Sequence, residues 1–212
     1  MSQTVWIARH ANRWDFVYPE WFTTAERPYD PPLSEDGFEQ AKQLASRLAT
    51  TSNIRHIFAS PFLRTVQTAH EVAQKLNLPL KLEWGLAEWL NPHWMTHAPE
   101  TLPLEILQQD FPEIDRHYHS RIVPEYPESE QQVFARTQET AKRLVADFSE
   151  DILLIGHGAS VLGASQALVP VAEIRAALCC LVKIVRKGDI WEMELHGDTS
   201  HLSETETVIR FN

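Results

Sequence analysis

The chain has 212 residues, 43% of them hydrophobic, and a formal net charge of -10. That length suits one domain with a full core. The acidic balance and the lack of a basic run exclude a nucleic-acid backbone as a main partner, which needs clustered Lys and Arg, and no apolar stretch approaches bilayer-spanning length.

Thr4-Val5-Trp6-Ile7-Ala8 predicts a first strand that ends at Arg9-His10. No signal-peptide pattern precedes it, so a cytoplasmic location is expected. Residues 11–32, rich in Trp, Pro and acids, read as a long loop. Ser34-Glu35-Asp36-Gly37 opens a helix: Ser34 suits the N-cap, acids fill the first turn, and Phe38, Ala41, Leu44, Ala45 and Leu48 recur at helical spacing. Residues 54–59 predict a second strand. Pro61 and Phe62 begin a helix to residue 76 with Val66, Ala69, Val72, Ala73 and Leu76 on one face. Residues 80–83 predict a short third strand before the loop Gly85-Leu86-Ala87-Glu88-Trp89.

Between residues 91 and 130 prolines and histidines break the periodicity, which reads as a lid-like insertion with a short helix over 104–111. Residues 129–148 predict a helix with Val133, Thr137, Ala141, Leu144 and Val145 inward, 152–155 a buried strand, and 160–168 a helix that stops before Pro170. Strands near 181–185 and 191–195 flank the turn Lys187-Gly188-Asp189, and 197–212 reads as a surface tail. Strands alternating with helices imply an α/β fold, a three-layer α/β/α sandwich. Two strands joined by a tight turn cannot both be parallel, so the sheet is expected to be mostly parallel but mixed. The expectation is a single domain over 1–212 with the insertion at about 91–130. Cys179 and Cys180 read as buried small apolar residues, since adjacent cysteines rarely bridge.

Three strand-to-helix junctions carry the chemistry: Arg9-His10, Ser60-Pro61-Phe62-Leu63-Arg64-Thr65 and Gly156-His157-Gly158. In open α/β sheets the carboxyl ends of the strands line the ligand crevice. Two arginines and two histidines converging there suit a doubly charged anion, phosphate above all. Arg64 in a helix's first turn opposes the macrodipole, which points to an anion beside it. His93, His97, His117 and His119 lack an accompanying cysteine or carboxylate set and read as exposed loop residues. No metal and no cofactor are expected.

The blocks Arg9-His10-Ala11, Pro32-Leu33-Ser34-Glu35-Asp36-Gly37, Ser60 through Ala69, the loop Glu88, Glu128-Ser129 and Gly156-His157-Gly158 together resemble the histidine phosphatase superfamily, also called phosphoglycerate-mutase-like. The site segments His10-Ala11-Asn12-Arg13-Trp14-Asp15-Phe16 and Gly85-Leu86-Ala87-Glu88-Trp89 resemble its phosphatases of the suppressor of T-cell-receptor signalling and ecdysteroid-phosphate type. Two departures stand out: Ala11 replaces the usual Gly after the histidine, and Phe16 stands where the mutases carry Asn.

The resemblance implies a metal-independent phosphomonoesterase working through phosphohistidine. His10 is its nucleophile, kept unprotonated by neighbouring cations. Arg9, Arg64 and His157 hold the phosphoryl group, and Arg13 adds a further contact. Glu88 acts as general acid, with Glu83 and Glu100 as alternatives; Leu86, Trp89 and Leu90 are expected to form an apolar wall that favours its protonated form. The alternatives are a phosphoglycerate mutase-type phosphotransferase and a catalytically weak binder of phosphorylated ligands. The expected partner is a small-molecule or protein phosphomonoester, with no nucleic acid and no membrane; a homodimer is not readable from the chain. Trp14, Trp21, Trp84, Trp89 and Trp94 crowd the proposed site loops, with Phe16, Tyr18, Phe22 and Tyr118 nearby and few cations. That predicts an aromatic entrance suited to an apolar or aromatic ester.

Overall fold

A computed structural model describes residues 3–206 and 209–210. Its six strands are β1 (Thr4–Arg9), β2 (His56–Ala59), β3 (Leu80–Leu82), β4 (Ile152–Gly156), β5 (Leu181–Lys187) and β6 (Ile190–Asp198). They form one sheet in the order β3-β2-β4-β1-β5-β6. The first four strands of that order run parallel, β5 pairs antiparallel with β1, and β6 pairs antiparallel with β5. The expected mixed sheet is therefore present. The tight turn between β5 and β6 uses Gly188 at φ +65, a conformation that glycine adopts without a Cβ penalty.

Alternation along each strand divides the core in two. Trp6 and Ala8 of β1, with Leu153 and Ile155 of β4, face the helices α3 (Glu35–Thr51) and α4 (Leu63–Leu76). Val5 and Ile7, with Ile152 and Leu154, face α6 (Glu130–Asp147) and α7 (Gly158–Leu168). This is the three-layer arrangement. Ser34 caps α3 by accepting from the Gly37 amide at 3.3 Å, and Ser129 and Gln132 close a capping box on α6; such caps contribute about 1 kcal/mol each. Gly37 has a second reason to be glycine: a Cβ there would lie 2.1 Å from the Asn12 carbonyl oxygen. The start of α3 thus presses against the loop that leaves β1.

That loop is not without structure. It holds two four-residue helices, α1 (Trp14–Val17) and α2 (Trp21–Thr24), which are too short to show a helical period. Residues 91–130 also differ from a simple lid. Trp94 and Met95 border the site described below, but α5 (Leu104–Asp110) and the segment after it dock on the β3 edge, where Ile114 bridges Leu80 and the Tyr118 hydroxyl donates to Glu83 at 2.5 Å. Beyond β6 the chain returns to the sheet: the Glu206 carboxylate accepts from the Leu178 amide at 2.7 Å. The expected surface tail is thus partly built in; its residues 207–208 and 211–212 lie outside the described residues.

Candidate active site

Four strand ends deliver the site. His10 follows β1, Ser60 and Arg64 follow β2, Glu88 follows β3 and a 3-10 turn (Trp84–Leu86), and His157 follows β4. The parallel registry of β1, β4 and β2 brings these ends to one edge of the sheet. Helices α4 and α7 both start there, so two positive helix ends point at the same place.

His10 is fully buried, and its Nδ1 lies 2.8 Å from the Ala11 carbonyl oxygen. A carbonyl only accepts, so Nδ1 carries the proton and Nε2 keeps its lone pair. Nε2 has no hydrogen-bond partner among the described residues. Burial, then the charges of Arg64 and Arg9, push the imidazole well below its ordinary pKa. It is neutral at physiological pH. Ala11 fits despite replacing glycine: its side chain is wholly buried and its amide donates to Thr68 Oγ1 at 3.1 Å.

Glu88 is buried, 6% exposed. Its Oε2 accepts from Arg64 Nη2 at 3.1 Å and lies 3.2 Å from His157 Nδ1. Burial raises the carboxyl pKa, but His157, Arg64 and Arg13 outweigh it and hold the group well below the usual carboxylate range. This corrects the expectation of a carboxyl protonated by an apolar wall: with these neighbours Glu88 is an ion. The two alternatives stand elsewhere. Glu83 is fully buried and capped by the Gly85 and Arg121 amides, and Glu100 is exposed.

His157 is held from behind by Ser60, whose hydroxyl lies 2.9 Å from Nε2. An ionised Glu88 favours the tautomer with the proton on Nδ1, so Ser60 donates and the N–H points into the site. Burial carries the His157 pKa down to about 4, with Glu88 only partly opposing it. One donor atom each of His10, Glu88 and His157 lies within 4.8 Å of the others. Such a trio has the spacing of a cation site, but three guanidiniums surround it, which suits an anion better.

Arg64 is buried and keeps its charge; burial first, then Arg13, lowers its pKa to about 10. Asp30 stands 4.0 Å from it and accepts from the Leu63 amide at 2.7 Å. Arg13 is clamped by Asp15 through two contacts of 2.6 Å. Arg9 is buried next to His10 in the chain, donating to the Ala176 carbonyl at 2.9 Å and to the Arg210 carbonyl, with Glu206 3.9 Å away.

Two cavities meet at Glu88. One, of about 180 Å³, is lined by Arg13, Phe22, Tyr29, Arg64, Glu88, Trp94 and Met95. The other, of about 340 Å³, lies among Glu88, Trp89, Trp94, Phe134 and Leu162, with Glu130 at its side. Arg9, like His10 and His157, lines neither. Of the aromatic residues expected at the entrance, Phe22, Trp89 and Trp94 line these cavities. Trp14 and Trp21 do not: Trp14 stacks on Tyr18 at 4.4 Å, and the Trp21 indole donates to the Pro28 carbonyl. The four histidines of the insertion, His93, His97, His117 and His119, are exposed.

The sequence profile of the histidine phosphatase superfamily (branch 1) matches residues 5–199. The chain belongs to this superfamily. Over 188 residues it is 33% identical to the transcription factor tau 55 kDa subunit of Saccharomyces cerevisiae, covering 82% of this chain and 43% of that protein. It is 23% identical to the ecdysteroid-phosphate phosphatase of Drosophila melanogaster, over 91% of this chain and 32% of that one. The chain thus spans less than half the length of these two relatives. Its fold matches the tungstate complex of the ecdysone phosphate phosphatase from Bombix mori with a TM-score of 0.76, at 22% identity over 99% of this chain and 98% of that one.

Several residues that shape the site escaped the sequence reading. Asp15 and Asp30 sit in an acid-rich loop where nothing marks them apart. Ser60 was visible only as part of a motif. Arg136 had a usable signal: it is a charged residue on the inward face of α6, between Val133 and Thr137 on one side and Thr140 on the other.

Proposed function

We propose that the protein hydrolyses phosphate monoesters through a phosphohistidine on His10. The observation that carries this reading is a neutral buried imidazole with an unpartnered Nε2, set beside an ionised carboxyl and the Arg64 guanidinium. The incoming phosphoryl dianion takes over Arg64 and His157 from Glu88, and Arg13 adds a third donor group. Glu88 loses the cations that kept it ionised and gains a negative neighbour, so its pKa rises and it takes up a proton from solution. Nε2 of His10 attacks phosphorus while the bond to the alcohol oxygen breaks, and Glu88 gives its proton to that oxygen. Water then attacks the phosphohistidine, its proton passes to Glu88, the N–P bond breaks, and phosphate departs with His10 neutral again.

The two cavities favour esters with an uncharged apolar or aromatic group. Among the described residues Arg13 and Arg64 are the only cations lining either one, and both are needed for the phosphoryl group. A glycerate carboxylate or second phosphate would meet Trp89, Trp94, Phe134 and Glu130 in place of a cation. That disfavours the mutase alternative, as does Phe16, which packs under the Arg13 guanidinium at 4.6 Å. The relatives named as ecdysteroid-phosphate phosphatases support the hydrolase reading. The yeast relative named as a transcription factor subunit favours the binding-protein alternative. Turnover separates them. A panel of phosphomonoesters should release inorganic phosphate, fastest from aryl esters, with cytoplasmic small molecules or phosphotyrosine proteins as candidate substrates. Tight phosphate binding without turnover would support the binding protein instead.

A further inference from the structure

Glu88 lies where the backbone has no strand or helix of its own. After the 3-10 turn, residues 87–91 are irregular, yet a general acid needs its carboxyl held to within a fraction of an ångström. Besides short-range bonds such as the Ala87 amide to the Trp84 carbonyl and the Trp89 amide to Glu88 Oε1, the hydrogen bonds that tie this backbone to the rest of the fold come from one buried ion pair. Arg136 Nη1 donates to the carbonyls of Gly85 at 3.0 Å and Ala87 at 3.1 Å, and Nη2 donates to the carbonyl of Glu88 itself at 3.1 Å. The same guanidinium forks onto Glu128, with Nε to Oε1 at 2.6 Å and Nη2 to Oε2 at 2.7 Å. Glu128 grips the other side of the acid. Its Oε2 accepts from the Leu90 amide at 3.2 Å, its own amide donates to the Leu90 carbonyl at 2.9 Å, and its carbonyl accepts from the Trp89 indole at 2.9 Å.

We propose that Arg136 and Glu128 are positioning residues for the Glu88 carboxyl. Neither lines the cavities that meet at Glu88, and both are buried. A buried ion pair is not by itself a stabilising device, because desolvation offsets much of the attraction. Here the guanidinium's planar fork joins the carbonyls before Glu88 to a carboxylate that holds the residues after it. Lysine cannot reproduce that geometry. The role rests on the phosphatase reading and acts through proton donation. It matters most where the leaving oxygen is a poor one.

The test compares benzyl phosphate, whose alkoxide must be protonated, with p-nitrophenyl phosphate, whose leaving group needs little help. Arg136→Lys and Glu128→Gln should lower kcat/KM for benzyl phosphate, which reports phosphohistidine formation, about 10- to 100-fold, the cost of a displacement near 1 Å. The kcat/KM for p-nitrophenyl phosphate, free of the later hydrolysis step in which Glu88 also takes part, should change less than about threefold. In a Glu88→Gln background the added Arg136→Lys should cost under about threefold on benzyl phosphate, because the group it positions is already gone. Thermal melts run in parallel report folding, and Glu128→Gln decides the matter if Arg136→Lys does not fold. Equal losses on both esters, or a full-size loss in the Glu88→Gln background, would overturn the positioning role alone. Wild-type protein inert toward both esters would overturn the phosphatase reading and this role with it.

Discussion

Glu88 holds the two partners proposed for the phosphoryl group: its Oε2 is 3.1 Å from Arg64 Nη2 and 3.2 Å from His157 Nδ1. In the proposed reaction the carboxylate is an internal stand-in for the substrate's charge. It pairs closely with a buried guanidinium whose other carboxylate, Asp30, stands 4.0 Å away, and under that proposal it becomes an acid only when a better anion arrives.

This exchange separates binding from turnover. Glu88→Gln removes the competing charge, so phosphate or vanadate should bind more tightly, by about tenfold, which is 1.4 kcal/mol. The same variant should lose turnover on alkyl esters more than on p-nitrophenyl phosphate. Calorimetry in buffers of different ionisation enthalpy should show proton uptake on vanadate binding to wild type and less in the variant. Weaker binding in Glu88→Gln would mean that the carboxyl assists the anion and does not compete with it.

Arg64 is the guanidinium that both Glu88 and the phosphoryl group use. Arg64→Ala should lower kcat/KM by about 2–4 kcal/mol, the range for removing one preorganised donor. Steady-state kinetics on p-nitrophenyl phosphate measures it, and a loss below threefold would remove Arg64 from the transition state.

The buried histidines make stability depend on pH in a defined direction. His10 and His157 have folded pKa values below the unfolded value of about 6.5, His157 at about 4. Between those values the unfolded chain binds more protons, so unfolding free energy falls as pH drops from 6.5 toward 4. For His157 the integrated effect is on the order of 3 kcal/mol. His157→Gln should flatten the urea stability profile between pH 6.5 and 4.5. The acidic limb of kcat/KM should also fall below pH 6, because the nucleophile stays neutral there; a limb at 6.5 would contradict the burial argument.

Asp30 works with the opposite sign. Burial lifts its carboxyl to about 6, with Arg64 only partly opposing, and its Oδ2 has no hydrogen-bond partner among the described residues. The folded state therefore holds the proton more firmly, and stability is lost as pH rises from about 4 through 6. Asp30→Asn should stabilise the fold by about 1–3 kcal/mol at pH 8 and by nearly nothing at pH 3.5. Urea melts at the two values test this. Equal effects at both would show that Asp30 acts through shape and not charge.

Specificity should follow the cavity walls. Phe22→Ala, Trp94→Ala and Phe134→Ala should raise KM for aryl phosphates several-fold, with little change for small polar esters. Trp14→Ala and Trp21→Ala should leave that ratio unchanged, since those rings pack on Tyr18 and Pro28.

The sheet, its mixed pairing and the site histidines were legible because they depend on local signals. An apolar run followed at once by Arg-His or Gly-His-Gly places a side chain at a strand's carboxyl end whatever the rest of the chain does. The ionisation of Glu88 was not legible. Its apolar neighbours Leu86, Trp89 and Leu90 are adjacent in sequence, but the cations that set its charge come from Arg13 and Arg64, far away along the chain. Which rings form the aromatic entrance was not legible for the same reason. Composition showed many rings in residues 11–32, but only tertiary packing decides that Phe22 and Tyr29 line the cavity while Trp14 stacks on Tyr18. The two helices in that loop are a single turn each, shorter than the window that periodicity needs.

The proposed reaction stands or falls on a covalent intermediate at His10, which rapid quench with ³²P-labelled p-nitrophenyl phosphate can trap. An acid-labile, alkali-stable phosphoprotein should form and decay at the rate of turnover, with the label on the peptide that carries His10. His10→Ala should lose both label and activity. Full turnover by His10→Ala, or label on another residue in the wild-type protein, would contradict it.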